Sequence, residues 1–246
     1  MTTAAAEAWS RLDEASREAL RLGWEALQTG NIGVGAVVTD DAGAVVGVGR
    51  NRVADRQAPP GQVFGTSVAH AEINALATLP FRHPRELVLT TTLQPCLQCS
   101  AAIRMGPIAL VRVIGADPLW DGCADLTSLN RWVARRPPIP VEDPMADEVG
   151  TFATLMARCS PWFSEVVDAA LRTEGEGALL DVADRLRETD ELVVLADQPV
   201  EVAMDRLWPD LVALRASAPG SQRPATGDRQ RRRATRPVGP APTSRS

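Results

Sequence analysis

The chain has 246 residues, with 26 basic side chains against 31 acidic ones and a net charge of −5. Its apolar stretches are broken by charge or glycine well short of the ~18 residues of a membrane span, and Met1 to Ser10 lacks the basic region and apolar core of a secretory signal. Four cysteines are too few for a disulfide-stapled scaffold, so the expected setting is a reducing cytoplasm.

Ala4 to Leu27 repeats apolar residues at helical spacing and predicts one amphipathic helix stopped by Gly30. Gly33 to Thr39 and Ala44 to Gly49 are β-branched runs joined by Asp40-Asp41-Ala42-Gly43, a hairpin signal. Asn51 to Val68 reads as an irregular loop. A helix is expected over His70 to Leu79, a strand over Leu87 to Thr92, a helix from Pro95 to Met105, and a fourth strand over Ala109 to Gly115. This order describes a three-layer α/β/α domain over residues 1–132. A Pro-rich linker, 133–145, follows. Helical patterns at Val149 to Arg158, Trp162 to Arg172, Ala178 to Glu188 and Val200 to Arg215 then predict an all-helical C-terminal extension, 146–215. Residues 216–246 form a tail with little to bury, expected to be disordered.

Charge is divided unevenly. The tail holds seven Arg and one Asp, which leaves the rest of the chain 19 Arg against 30 acids, a balance of −11. An acidic body is a poor platform for nucleic acid. Arg229 to Arg233 offers a phosphate- or RNA-binding run, with a solvated terminus as the plainer reading.

Two motifs carry chemistry. His70-Ala71-Glu72 opens one helix, and Pro95-Cys96-Leu97-Gln98-Cys99 opens the next after a strand. Cysteines separated by two residues at a helix start lie one turn apart and face one metal ion, and the positive helix end favours their thiolate form. His70 supplies a third ligand. Three ligands leave the fourth tetrahedral position of zinc open to water, the arrangement of a catalytic site. Glu72 is close enough to exchange a proton with that water without ligating the metal. In the alternative, a structural zinc closed by Cys123 holds a non-enzymatic binding or assembly module, and Glu72 then has no task.

These motifs resemble the cytidine and deoxycytidylate deaminase superfamily, in particular its cytosine, guanine and tRNA-adenosine deaminase branch. The resemblance covers roughly residues 5 to 120 and includes Gly33 to Val38, Gly49-Arg50-Asn51-Arg52, His70 to Leu76 and Thr92 to Ile103. It implies a cytidine-deaminase-like mixed sheet, zinc on His70, Cys96 and Cys99, a proton-shuttling Glu72, a base-binding Asn51, and contact of the Ala71 backbone with the amide-like edge of the base. It further implies a zinc-dependent aminohydrolase acting on a small nucleobase, nucleoside or related heterocycle, assembled as a homo-oligomer with a dimer as the leading form. A tRNA adenosine deaminase is the alternative, opposed by the acidic body. Two positions depart from the pattern: Gly33 where proline is common, and Gln94 where glutamate precedes Pro-Cys.

Other residues are candidates of lower rank. Asp117, Trp120, Asp121 and Cys123 follow the fourth strand, where loops often line pockets. Trp120 is a candidate to stack on a base, with packing against Pro118 and Leu119 as the alternative. Phe64 is a candidate cover for the pocket. His83 reads as a solvated or capping residue, and Cys159 as core.

Overall fold

The structure is a computed structural model, and it describes residues 2–81, 86–127, 131–135 and 138–217. His83 and the run Arg229 to Arg233 lie outside the described residues, as does the tail beyond Ser217.

The expected first helix is two: α1 (Ala4–Arg11) and α2 (Glu14–Gln28). The break lies at Leu12-Asp13. Leu12 is extended, and the Asp13 carboxylate accepts the Ser16 N–H at 2.7 Å, so a strong N-cap restarts the helix where apolar spacing alone reads straight through. Strands β1 (Gly35–Thr39) and β2 (Val45–Arg50) form the predicted hairpin. Its turn is held by Asp40 Oδ1, which accepts from the N–H groups of Ala42 and Ala44. After α3 (Ala71–Ala77) come β3 (Leu87–Leu93), α4 (Leu97–Met105) and β4 (Ile108–Gly115).

The sheet order is β2-β1-β3-β4, antiparallel except for the parallel β3–β4 pair, so the sheet is mixed as expected. All five residues of β1 are buried. Its side chains alternate between two cores. Ala36 and Val38 join Ala71, Ala75, Leu89 and Ile103 on the face covered by α3 and α4. Val37 joins Leu20, Trp24 and Phe152 on the opposite face, covered by α2 and α5 (Glu148–Arg158). A side chain at Gly49 would place its Cβ 2.3 Å from Ala71 O and Ala75 N. Glycine there lets α3 settle directly on β2, which fixes the height of His70 above the sheet.

Residues 138–145 run beside β4. Val111 donates its N–H to Pro140 O, and Glu142 and Met145 donate theirs to Val111 O and Ile114 O. Beyond α5 lie α6 (Glu165–Thr173), α7 (Gly177–Glu188), α8 (Glu191–Ala196) and α9 (Val200–Ser217). The six-residue α8 escapes the sequence reading because it is too short to display a helical period. Helix α9 takes in Ala216 and Ser217, which the sequence assigns to the tail, and it carries Pro209 inside. Ala203 and Leu207 of α9 share one apolar cluster with Ala5 and Ala8 of α1 and Trp24 of α2. Trp24 Nε1 also donates to Gln198 O at 2.9 Å, so the helical region and the first two helices close a common core. Among the described residues no helix is long and apolar enough to cross a membrane.

Candidate metal centre and its cleft

His70 and Cys96 are the N-cap residues of α3 and α4, both in extended backbone conformation, and Cys99 sits in the first turn of α4. The expected helices therefore begin one residue later than His70 and two later than Pro95, and the chemistry-bearing side chains stand at their mouths. The ligand atoms of His70, Cys96 and Cys99 lie within 4.8 Å of one another. His70 Nδ1 is 3.5 Å from Cys96 Sγ and 3.4 Å from Cys99 Sγ. Zinc legs of about 2.0 Å to nitrogen and 2.3 Å to sulfur, opened at the tetrahedral angle, put those atoms about 3.5 Å apart. The three side chains thus fit a tetrahedral zinc ion with little movement. All four cysteines are free thiols, and among the described residues Cys123 is not part of this donor group, contrary to the closed structural site.

The titratable groups of the cluster shift one another. The hydrogen bond from Cys99, supported by His70, lowers the Cys96 thiol to about 4. Cys99 is pushed far up by that same bond to Cys96, by its burial and by the charge of Glu72. His70 is raised by its bond to Cys96. Of the two thiols, Cys96 is the readier to ionise.

Glu72 lies on α3 with 3% of its surface exposed. Its Oε2 accepts from Cys99 Sγ at 3.3 Å, and its Oε1 from the Thr91 hydroxyl of β3 at 3.3 Å. Burial raises its pKa, with the charge of His70 opposing. It stands beside the donor group without belonging to it.

A cleft of ≈ 450 Å³ opens over these groups and is lined also by Asn51, Ala71, Trp120, Asp117 and Phe163. That size suits a small ligand. Asn51 is buried at the end of β2, its Oδ1 accepting the Val53 N–H at 3.2 Å. Gln94 explains one departure from the family pattern. Its Nε2 donates to Trp120 O at 3.2 Å and its Oε1 accepts the Asp117 N–H at 3.3 Å, so both ends of an amide hold the turn that carries Trp120. A glutamate has no donor for the first bond. Gly33 explains the other. A Cβ there would lie 2.6 Å from Met156 O, so the small residue makes room for α5.

Of the lower-ranked candidates, Asp117 and Trp120 line the cleft, whereas Asp121, Cys123 and the exposed Phe64 are not among its lining residues. Cys159 is core, its thiol pushed up to about 12 by burial. The sequence reading missed Phe163 and Arg158. Arg158 is 1% exposed, reaches Asp117 at 3.1 Å and Glu176 at 2.7 Å, and lies 5.5 Å over the Phe163 ring. The one available signal was an arginine at the end of the apolar run of α5, a place where a charge is costly unless paired.

Residues 10–114 match the family model described as the cytidine and deoxycytidylate deaminase zinc-binding region. Among curated proteins no match was found. Among solved structures, a tRNA:A34 deaminase is 24% identical with a TM-score of 0.42, over 52% of this chain and 96% of that one. Guanine deaminase from Bacillus subtilis is 22% identical with a TM-score of 0.37, over 55% and 84%. RibD of Acinetobacter baumannii is 20% identical with a TM-score of 0.39, over 60% of this chain and 40% of that one. The matched residues 10–114 contain His70, Glu72, Cys96 and Cys99, so this part of the chain carries the zinc-binding region of the cytidine and deoxycytidylate deaminase family.

Proposed function

We propose that the protein is a zinc-dependent hydrolytic deaminase that releases ammonia from the exocyclic amine of a small nucleobase, nucleoside or related heterocycle. The observation that carries this reading is the meeting, in one cleft, of the His70, Cys96 and Cys99 donors with a buried carboxylate that is not one of them. Bound there, zinc supplies a Lewis acid and makes hydroxide available near neutral pH.

The protein's own residues do the rest. Glu72 takes the proton of the attacking water, passes it to the ring nitrogen beside the reacting carbon, and delivers a proton to the departing amine. Its raised pKa brings the carboxyl nearer the working pH, which suits a group that must both take and give a proton. Thr91 holds that carboxylate in place from β3. Asn51 and the Ala71 backbone fix the base by hydrogen bonds, and Trp120 offers a flat apolar surface beside it. A cytoplasmic homodimer belongs to the same reading, as does the division into a deaminase domain over 1–132 and a helical extension over 146–215.

The test is ammonia release by zinc-loaded protein across cytosine, guanine, adenine, their nucleosides and nucleotides, pterins and triazines, with Glu72→Ala as the blank. Release absent from the blank supports the reading and names the substrate. Silence across the panel with zinc present contradicts it.

A further inference from the structure

One wall of the cleft comes from outside the region that matches the family. Phe163 lies between α5 and α6, well beyond residue 114, yet it lines the same cleft as His70, Glu72 and Asn51. Its position is fixed from several sides. Trp162 Nε1 donates to Gly30 O at 2.7 Å, tying the turn to the end of α2. Arg187 donates to the carbonyls of Arg158 and Ser160, each at 3.0 Å. Arg158 covers the Phe163 ring at 5.5 Å while its guanidinium is held between Asp117 and Glu176.

Asp117 itself lines the cleft and belongs to the turn that ends in Trp120. Glu176, Arg158 and Asp117 therefore form a buried ionic chain that registers the helical region against the substrate turn. A charge network this deep costs desolvation and is a poor source of stability, whereas it defines one relative placement of the elements it joins. What it places is an aromatic ring in a cleft that already contains Trp120.

We propose that Phe163 is a specificity-determining residue, forming with Trp120 an aromatic enclosure that selects flat heteroaromatic amines. Arg158 is its positioning residue, and the helical region is thereby part of the substrate site. This inference rests on the deaminase reading and extends it to a segment that the family motif does not include.

The test uses full-length, zinc-loaded protein in the Glu72→Ala background, where turnover is blocked, and calorimetric titration with cytosine, guanine and 2,6-diaminopurine. Cyclohexylamine serves as a non-planar control. At least one flat base binds and cyclohexylamine does not; adding Phe163→Ala weakens that binding about five- to hundredfold. Phe163→Tyr restores it, and zinc content stays unchanged in both, which a folding defect would not permit. With Glu72 intact, Phe163→Ala raises KM more than it lowers kcat.

Unchanged binding in Phe163→Ala overturns the inference, and so does failure of every flat base to bind. If wild-type protein releases ammonia while Phe163→Ala leaves KM unchanged, the inference alone fails and the deaminase reading stands. If the wild type neither binds a flat base nor releases ammonia, both fail.

Discussion

The two faces of the sheet bury different materials. Under α3 and α4 lie a carboxylate, a histidine and two thiols packed within a few ångströms of each other at the mouths of two short helices. Under α2 and α5 lie Leu20, Trp24, Phe152 and Met156, joined by apolar side chains from α1 and α9, the first and last helices described. Beside the apolar residues Ala36, Val38, Leu89 and Ile103, the first face thus gathers four titratable side chains. The second is well suited to hold the fold, since it closes the chain on itself through apolar contact. The candidate zinc donors and Glu72 thus lie on one face only, and their substitution should have consequences separable from those of substitutions in the core under α2 and α5.

The largest separation is expected from Glu72→Ala. General acid–base catalysis is worth about 10²- to 10⁴-fold, so ammonia release should fall by at least that much while zinc stays stoichiometric by atomic absorption. Its unfolding midpoint should hold or rise, because a buried carboxylate with a raised pKa is removed. Loss of zinc in this variant would show that Glu72 is a ligand after all. Phe152→Ala is the converse case. Phe152 is fully buried, and its truncation should cost about 3–5 kcal/mol in urea unfolding, with zinc affinity unchanged under conditions where the protein stays folded.

Gly33→Ala sharpens the comparison because its Cβ meets Met156 O on α5 at 2.6 Å. Overpacking of this kind costs about 1–3 kcal/mol; the same denaturation experiment should place it below Phe152→Ala. A pH series addresses the site face alone. The Cys99 thiol is raised in the metal-free protein, so it keeps its proton through the neutral range, and zinc must displace that proton to bind. Zinc affinity, measured by competition with a chelator, should therefore climb about tenfold per pH unit for each proton released. A flat profile across neutrality would mean that Cys99 is already a thiolate.

The same division explains what could be read from the amino-acid sequence. His70, Cys96 and Cys99 fall within 30 consecutive residues, and each helix mouth is marked by a local motif, so the candidate donor group is legible in the sequence. The strands and their hairpin were equally open to inspection because a two-residue period and a turn signal are local. The Asp13 break was missed since a continuous apolar period concealed an N-cap, and α8 since six residues display no period. Phe163 was missed for a different reason. Its place in the cleft depends on Trp162 reaching Gly30 and on Arg158 reaching Asp117, contacts between residues 132 and 41 apart. No spacing rule in a single sequence reports such a meeting.

The claim on which the rest depends is that His70, Cys96 and Cys99 alone among the side chains hold zinc, with Glu72 beside it and one position open. Zinc-edge X-ray absorption on the full-length, zinc-loaded protein tests this most directly. The expected result is one nitrogen and two sulfur neighbours from the protein, with a light-atom fourth neighbour that persists in Glu72→Ala. A third sulfur, or a fourth neighbour lost with Glu72, would contradict it.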